Sequence, residues 1–360
     1  MVWFPFLVLP PTVRVAFRRQ AHFFTMQKIK VAQFGLGPIG IESLKLAASQ
    51  SWLEIVGGVD IDPAKIGRSL ADLTGVPALG NAQVYASLAE LFAVVKPEVI
   101  LHTAGSSASA SFAQLRPALE AGVSVASTCE ELIFPALKTP EVTAEYDALC
   151  RRTGARVVGT GVNPGFVMDV LPITLTGVSR RVDSIYVERV VNAATRRQPL
   201  QAKIGSGQDP DAFRAKFAAG KAGHAGFQQS LALLAHSMGW MLDKIEETCE
   251  PMIAPGPITT KFFTVAKGQT CGLHQRAIGT VAGEAKLILD LQMFLDAKNP
   301  HDTIVIAGDP ALHLTLNGGV AGDSATVASL INIVPRLLAA PAGVRLMTEL
   351  PVPAWVNPAA

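Results

Sequence analysis

The sequence predicts an α/β protein in which a doubly wound parallel sheet is followed by a second α+β domain with a mostly antiparallel sheet. Strand-like and helical stretches alternate from residue 29 to residue 159, and a glycine-rich turn joins the first strand to the first helix. Beyond residue 165, long strand-like runs follow one another with few helices between them. At 360 residues the chain is long enough for two domains with well-buried cores.

The first part of the chain carries five short apolar runs that are typical of buried parallel strands. These runs are Ile29–Phe34, Glu54–Val59, Val99–Thr103, Val123–Ser127 and Arg156–Gly159. The helical stretches between them are Pro38–Ala48, Ser87–Val95, Ala108–Ala121 and Pro140–Thr153. Because ligands of such sheets bind outside the carboxyl ends of the strands, we expect the functional site in the loops that follow these strands.

The second part of the chain predicts longer strands and only a few helices. The strands are expected at Arg181–Val191, Ile258–Ala266, Cys271–Val281, Ala285–Met293 and Thr303–Ala307, and the helices at Asp211–Ala219 and Phe227–Leu242. A last helix, Ser324–Leu338, is apolar enough to pack back against the first domain, and the proline-rich end from Pro341 is expected to trail over the surface. We therefore expect a first domain over residues 26–162, a second over 163–322 and a returning segment over 323–360, with the two domains moving as hinged lobes.

Residues 1–25 are expected to lie outside the fold. The apolar run Val2–Leu9 is broken by Pro5 and precedes the arginines of this segment, which makes it a poor secretory signal. Met26 stands immediately before the first strand. We therefore interpret residues 1–25 as a disordered leader or an upstream-start extension, and Met26 as the first residue of the functional chain.

Composition excludes several classes of function. The chain is 49% hydrophobic and 17% charged, with a formal charge of +2 and no biased tract, so neither a nucleic acid nor a membrane is expected as a partner. Its four cysteines form no CxxC pair or other metal-ligand spacing. This usage predicts a reduced, cytoplasmic protein without a metal site.

The turn Gly35-Leu36-Gly37-Pro38-Ile39-Gly40 is the most informative motif of the chain. Gly35 permits a tight turn, Gly37 lets the backbone approach a diphosphate, and Gly40 lets the helix pack closely on the strand. The amino end of the helix then favours the negative charge of the diphosphate. The pattern predicts a Rossmann-type NAD site formed by these six residues, together with Thr103 and Ala104 in the loop after the third strand-like run.

Asp60 ends the second strand, twenty residues after Gly40, where a carboxylate can accept hydrogen bonds from an adenosine ribose. A carboxylate at this point repels a 2′-phosphate and therefore favours NAD. Lys65 and Arg68 follow closely, and with them NADP stays possible. The alternative interpretation is that Asp60 and Asp62 only end the strand and begin a turn.

Glu130 and Glu131 follow the fourth predicted strand, at the mouth of the expected cleft. Hydride transfer needs one positioned group that manages a proton, and we expect one of the two to have this catalytic role while the other points to solvent or to a helix. A carboxylate suits nitrogen chemistry, because it stabilises a cationic iminium and can take a proton from an ammonium group. Reduction of a ketone to an alcohol would instead need a general acid such as lysine.

Four further residues are weaker candidates. Asn163 either hydrogen-bonds the nicotinamide carboxamide or substrate or belongs to a simple turn. His224 lines the substrate pocket or is an ordinary capping or surface histidine. Phe166 and Met168 line that pocket or pack in the core.

Several segments together resemble one known family. They are the Gly35–Gly40 turn, Gly57-Gly58-Val59-Asp60, Ser127-Thr128-Cys129-Glu130-Glu131-Leu132, Gly159-Thr160-Gly161-Val162-Asn163-Pro164-Gly165-Phe166 and Ile333-Val334-Pro335-Arg336-Leu337-Leu338-Ala339-Ala340-Pro341. The chain resembles, from Met26 to Pro353, the 2,4-diaminopentanoate dehydrogenase group, which includes the native amine dehydrogenases and is often catalogued as dihydrodipicolinate reductase-like. The resemblance implies an NAD(P)-linked homodimer that deaminates an amine or aminates a ketone with ammonia, with its catalytic glutamate in the Glu130-Glu131 pair. The histidine-rich catalytic segment of true dihydrodipicolinate reductases is absent from the sequence.

Two alternatives to an amine dehydrogenase stay open from the sequence. One is a homoserine dehydrogenase- or dihydrodipicolinate reductase-like oxidoreductase, and the other is a non-catalytic NAD(P)-binding sensor. The substrate is open as well. An amino acid needs a cation for its carboxylate, for which Arg196 and Arg197 are candidates unless they are a solvated pair, whereas a simple aliphatic amine needs only an apolar pocket.

Overall fold

The structure, a computed structural model, describes residues 28–357. The predictions for residues 1–25 and for Met26 lie outside the described residues. The strands are β1 (Ile29–Phe34), β2 (Leu53–Val59), β3 (Val84–Tyr85), β4 (Val99–His102), β5 (Ser124–Ser127), β6 (Arg156–Gly159), β7 (Arg181–Asn192), β8 (Lys244–Ile253), β9 (Ile258–Thr259), β10 (Thr264–Val265), β11 (Thr270–Val281), β12 (Glu284–Phe294), β13 (His301–Asp309), β14 (Leu312–Asn317) and β15 (Gly343–Arg345). The helices are α1 (Pro38–Ala48), α2 (Leu70–Thr74), α3 (Leu88–Val94), α4 (Ala108–Glu120), α5 (Pro140–Thr153), α6 (Val170–Thr176), α7 (Gln198–Lys203), α8 (Pro210–Ala218), α9 (Phe227–Ser237), α10 (Gly322–Asn332) and α11 (Val334–Ala339).

Seven strands form a parallel sheet in the order β15-β6-β5-β4-β1-β2-β3. Successive residues of β4 pack into two different cores, since Val99 and Leu101 contact the cluster that includes the C-terminal helices while Ile100 contacts the cluster that includes α4. Both faces of the sheet are therefore covered, and the predicted doubly wound parallel sheet is confirmed. The strand order reverses between β1 and β4, which makes their carboxyl ends the expected ligand crevice.

The C-terminal segment differs from its prediction in two ways. The single helix predicted for Ser324–Leu338 is two helices, α10 and α11, because Pro335 has no amide hydrogen to continue a helical ladder. Both helices pack against the first sheet through residues such as Leu330 and Leu337. The prediction that the chain trails over the surface from Pro341 is wrong, because β15 pairs with β6 and extends the sheet at its edge.

The second sheet has six strands in the order β14-β13-β7-β12-β11-β8. Only the β7–β12 pair is parallel, so the predicted mostly antiparallel sheet is confirmed. The sequence did not predict β8 or β14, which are the two edge strands, and β8 carries Pro251, which an edge strand tolerates. The strand predicted for Ile258–Ala266 is instead the short hairpin β9–β10.

Helix α9 connects the cores of the two sheets. Phe227, Leu231 and Leu234 are buried against the second sheet, whereas Leu233 packs into the core of the first. The helix ends at Ser237 and not at the predicted Leu242. Its amino end lies beside the loops that follow β5 and β6, where Gly226 is close to Glu130 and Pro164.

Candidate active site

The glycine-rich turn has the close packing that its sequence predicts. Gly35 has a φ of +88°, and a Cβ there would stand 3.1 Å from the Cβ of Ala104 and 3.2 Å from the backbone of Thr103. A Cβ at Gly40 would overlap the carbonyl oxygen of Gly35. At Gly37, by contrast, no described atom lies within 4 Å of a Cβ position, so the backbone is open to a ligand.

The amino end of α1 is free to hold an anion. Gly37 is its N-cap and provides no side-chain hydrogen bond, and the first turn contains no acidic residue. Pro38 has no amide hydrogen, and the amides of the next residues point along the helix axis toward the open side of the turn. This arrangement suits a diphosphate, which the helix dipole also favours.

A pocket of about 480 Å³ lies over this turn, and we name it the turn pocket. Its walls include five residues that the sequence predicted to bind cofactor, namely Gly35, Gly37, Asp60, Thr103 and Ala104. Its rim includes the apolar side chain of Ile61, which is 89% exposed. Ile61 was not predicted from the sequence, since an exposed apolar residue after a strand has no distinctive pattern. An apolar rim beside a carboxylate fits an adenosine.

The Asp60 carboxylate is fixed against the turn. Its Oδ2 accepts hydrogen bonds from the amide of Leu36 at 2.6 Å and from Lys65 Nζ at 3.3 Å, and its Oδ1 accepts one from the amide of Asp62 at 2.9 Å. Burial raises the pKa of Asp60, but these hydrogen bonds together lower it below its ordinary value. The ionised carboxylate keeps acceptor capacity on Oδ1 for a further donor.

The two neighbouring glutamates have different surroundings. Glu131 accepts a hydrogen bond from the amide of Ala108 at 2.9 Å, at the start of α4, and forms an ion pair of 3.0 Å with Lys138. Glu130 instead lines a second cavity, of about 270 Å³. Burial raises the pKa of Glu130 despite opposing contributions from a Ser106 hydrogen bond and the charge of Lys203. The structure thus separates a helix-capping glutamate from a cavity-lining one.

This second cavity, which we name the glutamate cavity, lies between the loops of the first sheet and residues of the second. The sequence-predicted residues Ile39, Glu130, Asn163 and His224 line it. Ile39 belongs to the glycine-rich turn, so the turn connects the two cavities. The loops at the carboxyl edge of the parallel sheet thus provide Ile39, Glu130 and Asn163, and the segment before α9 provides His224.

Two polar atoms in the wall of the glutamate cavity are unsatisfied. Thr160 Oγ1 and Asn163 Nδ2 are buried and have no hydrogen-bond partner among residues 28–357. Leaving such atoms unpaired costs about 1–3 kcal/mol each, so a ligand that satisfies them gains affinity. Thr160 was not selected from the sequence, although it lies in the loop that follows β6.

The loop that carries Asn163 is held by a buried carboxylate. Asp169 accepts hydrogen bonds from the amide of Gly165 at 2.9 Å and from the hydroxyl of Ser230 at 2.7 Å, and its own exposure is 0%. The bond between Asn163 and Pro164 is cis. Because Ser230 belongs to α9, this carboxylate ties the loop to the helix.

Gly226 provides the close contact between α9 and the loop that follows β5 and carries Glu130 and Glu131. We name residues 128–133 the glutamate loop. It is the N-cap of α9, with a φ of +96°. A Cβ at this position would stand 2.6 Å from Pro164 Cγ and 3.1 Å from Glu130 Cβ. This glycine was not predicted from the sequence, because its packing depends on a loop more than 60 residues away.

His224 is held as a neutral acceptor at the wall of the cavity. Its Nδ1 lies 3.0 Å from the carbonyl of Ala225, so the ring donates there and Nε2 is free to accept. Burial, together with the positive charges of Lys203 and Arg189, lowers the pKa of His224 to about 3. It therefore cannot act as a cation for a carboxylate at neutral pH.

The cavity wall also carries cations from the second half of the chain. Arg196 and Arg197 share Asp323, at 2.7 Å and 3.3 Å, so they are not the solvated pair that the sequence left as an alternative. Between residues 28 and 357, the Lys203 side chain forms no ion pair or hydrogen bond, although its positive charge opposes the rise in the pKa of Glu130. Lys203 is thus a cation without a direct ion-pair partner on the same cavity as Glu130.

Two predicted pocket residues lie elsewhere. Met168 is 0% exposed inside the core of the second sheet and does not line either cavity. Phe166 is half-buried and packs between the cores of the two sheets. The expectation that these side chains contact substrate is therefore corrected to a packing role, because the loop turns both away from the cavity.

Other kinds of site find no support in the described part of the chain. No group of three or more His, Cys, Asp or Glu side chains between residues 28 and 357 is placed to hold a metal ion. The four cysteines are buried and unpaired. Over the same residues, no helix has the length and apolar character needed to cross a membrane.

The chain is similar to several known proteins. Residues 166–359, more than half of the chain, match the family model of the 2,4-diaminopentanoate dehydrogenase C-terminal domain. The 2,4-diaminopentanoate dehydrogenase of Acetoanaerobium sticklandii is 29% identical over 335 residues, which cover 91% of this chain and 95% of the relative. An amine dehydrogenase of Streptomyces virginiae is 21% identical over 90% of this chain and 96% of its own length.

A solved structure supports the same fold. The amine dehydrogenase of Mycobacterium smegmatis superposes with a TM-score of 0.80 at 24% identity, covering 92% of this chain and 98% of the other. The resemblance inferred from the glycine turn, the glutamate loop and the Asn163 loop is confirmed by the family match. The chain belongs to the 2,4-diaminopentanoate dehydrogenase family.

Proposed function

We propose that this protein is an NAD-dependent amine dehydrogenase. It interconverts a protonated amine, water and NAD⁺ with a ketone or aldehyde, ammonium, NADH and a proton. The observation that carries the proposal is the half-buried carboxylate of Glu130 in a cavity that adjoins the glycine-rich turn through Ile39. The named activities of the relatives from A. sticklandii and S. virginiae agree with this assignment.

The residues of both cavities fit a nicotinamide dinucleotide. The turn pocket suits its adenosine diphosphate half, with Asp60 at the ribose and the amino end of α1 at the diphosphate. The unsatisfied Asn163 Nδ2 can donate to the carboxamide oxygen, and Thr160 Oγ1 can accept from the carboxamide nitrogen. When bound, the nicotinamide supplies or accepts the hydride.

Glu130 manages charge and protons at the reacting nitrogen. In amination, its carboxylate holds ammonia near the carbonyl carbon and stabilises the cationic iminium. In deamination, it takes a proton from the ammonium group, because only the free amine can lose hydride from its carbon. Burial raises the pKa of Glu130, and a raised value makes the carboxylate a stronger base than an exposed glutamate.

Asp60 supports NAD as the preferred cofactor. Its pKa is lowered despite burial, so it is ionised at neutral pH and repels a 2′-phosphate. Lys65, at 3.3 Å from Asp60, is already engaged with this carboxylate and with Asp62. A lysine held in this way is a weaker partner for the extra phosphate of NADP.

The cavity also supports a substrate that carries a carboxylate. Lys203 is a cation without a direct ion-pair partner, and it lines the cavity together with the apolar side chains of Leu200 and Leu273, which can contact the carbon chain. Arg196 and Arg197 share the single carboxylate of Asp323, so this group adds a net positive charge to the same cavity wall. We therefore propose an amino acid with a second, reacting amine in preference to a simple aliphatic amine.

The test is a screen of NADH oxidation with short carbonyl compounds, each with and without ammonium. Matched pairs of a keto acid and the methyl ketone of the same length isolate the contribution of the carboxylate. We expect oxidation only when ammonium is present, and a lower KM for the keto acid. Oxidation that proceeds equally well without ammonium would contradict the proposal.

Lys203 favours one second candidate, an oxidoreductase that reduces a C=O bond with lysine as general acid. The two proposals predict different effects of Lys203→Met. If Lys203 binds a carboxylate, this variant raises KM for the keto acid and leaves kcat for a methyl ketone within about twofold. If Lys203 supplies the proton, kcat falls for every carbonyl compound, by roughly 100-fold or more.

We further propose that the protein is a homodimer that pairs through the outer face of the six-stranded sheet. Ile278, Ile288, Tyr186 and Val305 form a cross-strand row, on the face opposite the core. All four are only half-buried, and an apolar row on a sheet face is a candidate interface. Analytical ultracentrifugation tests this: Ile288→Lys should convert a dimer to a monomer, and a wild-type monomer would contradict the proposal.

A further inference from the structure

A buried histidine links the two cavities. His102 is the last residue of β4, and its exposure is 0%. Its Nδ1 lies 2.7 Å from the hydroxyl of Ser127, and its Nε2 lies 3.4 Å from Oε1 of Gln114. Gln114 lines the turn pocket, whereas Ser127 is the last residue before the glutamate loop.

The hydrogen bonds of this group have one consistent direction. The amide of Cys129 donates to Ser127 Oγ at 3.0 Å, so the Ser127 hydroxyl is free to donate to Nδ1 of His102. Nδ1 is then the acceptor, and the proton on Nε2 points to Gln114. Burial lowers the pKa of His102 to about 4, which keeps the ring in this neutral form at working pH.

Both ends of the chain of hydrogen bonds reach functional groups. At one end, the amide of Cys129 directly precedes Glu130. The backbone strengthens this link, because the amide of Thr128 donates to the carbonyl of His102 at 2.9 Å, and Thr128 lines the glutamate cavity. At the other end, Gln114 stands where a dinucleotide would contact the turn pocket.

We propose that His102 is a positioning residue that couples occupation of the turn pocket, through Gln114, to the placement of the Glu130 loop, through Ser127. The inference rests on the proposed function, since it concerns how Glu130 is held for catalysis. A chain of polar contacts orients its members, and removal of the central residue takes one hydrogen-bond partner from each neighbour. A ligand that orders Gln114 should therefore also order residues 127–133.

The first experiment does not depend on turnover. ADP resembles the dinucleotide half that the turn pocket suits, and it lacks the nicotinamide that would contact the glutamate cavity directly. Hydrogen exchange of the segment 127–133 is measured by mass spectrometry with and without ADP, after calorimetry has established saturation. We expect ADP to slow exchange of this segment in the wild type, and the effect to be lost in His102→Leu and in Gln114→Leu.

Gln114→Leu changes an exposed side chain, so it keeps the test valid if His102→Leu folds poorly. Thr74→Val is the matched control, because Thr74 is a buried hydroxyl in α2 that bonds only its own helix and the next turn. This control should retain the ADP effect. An ADP effect of wild-type size in both His102→Leu and Gln114→Leu, or no effect of bound ADP in the wild type, would overturn the inference.

The second experiment uses kinetics. His102→Asn keeps an acceptor near the position of Nδ1 and should retain kcat within about threefold, whereas His102→Leu should lower kcat roughly tenfold or more through misplacement of Glu130. His102→Leu should also shift the acid limb of the pH profile, because the burial that raises the pKa of Glu130 changes with its loop. Equal losses in the Asn and Leu variants with an unshifted limb would indicate a merely structural role and refute the inference. Undiminished turnover in Glu130→Gln would refute the proposed chemistry alone, since the ADP experiment is decided independently.

Discussion

Replacement of Gly226 by alanine provides a quantitative test of how the glutamate loop is packed. Two costs follow from the structure. The φ of +96° is unfavourable for any L side chain, by about 1–2 kcal/mol. The new methyl group would also stand 2.6 Å from Pro164 Cγ and 3.1 Å from Glu130 Cβ, and such overpacking costs about 1–3 kcal/mol. We therefore expect Gly226→Ala to lower the free energy of unfolding by about 2–5 kcal/mol and kcat by roughly tenfold or more.

Gly239→Ala separates the two costs. Gly239 follows the carboxyl end of the same helix, also has a positive φ, of +66°, and has no described atom within 4 Å of a Cβ position. Its alanine variant should lose only about 1–2 kcal/mol and keep its kcat. Urea unfolding followed by fluorescence, together with steady-state kinetics on both variants, makes the comparison. Equal losses of stability with unchanged kcat in both would refute the packing of α9 against Glu130.

Three other predictions concern the charged groups of the fold. Burial raises the pKa of Glu130 above its ordinary value of 4.5, so ionisation of Glu130 destabilises the folded protein. Glu130→Gln should therefore raise the Tm at pH 8, and this gain should disappear as the pH falls through the folded-state pKa toward 4.5. An equal gain in Tm at pH 4 would contradict the raised pKa of Glu130. Asp302→Ala leaves Arg189 unpaired in the core, where the pair lies at 2.8 Å, and should cost about 3–5 kcal/mol in urea unfolding. The control Asp309→Ala removes an exposed pair and should cost at most about 1 kcal/mol; similar losses would argue against the buried pair. Asp60→Ala should weaken NADH binding about tenfold in a fluorescence titration and NADPH binding much less, and equal weakening would argue against the ribose contact.

The sequence predicted the parallel sheet well because its signals are local. Proline at the first turn gives the start of α1 and α5, and glycine gives the end of α5, so both helices were predicted with their observed bounds. The strands of this sheet are buried on both faces and therefore appear as continuous apolar runs. The edge strands β15 and β8 were missed, since β15 has only three residues and β8 contains three glutamates and a proline.

The site was predicted only as far as single loops allow. Sequence placed Glu130 and Glu131 at the carboxyl end of a strand but could not choose between them. The difference between the two glutamates depends on α4. The first amide of this helix donates a hydrogen bond to Glu131, whereas Glu130 lines the glutamate cavity. Lys203 and Gly226 reach the site from distant segments of the second half, and their separation along the chain carries no signal. Neighbouring polar residues on a loop are thus identified by sequence, whereas their partners are identified by the fold.

The central claim is that Glu130 handles the proton and the charge at the reacting nitrogen. Its most direct test is ammonium-dependent oxidation of NADH by Glu130→Gln beside Glu131→Gln, with NADH binding measured for each. We expect Glu130→Gln to lower kcat roughly 100-fold or more with NADH binding retained, and Glu131→Gln to keep kcat within about threefold of wild type. Undiminished turnover in Glu130→Gln would contradict the account.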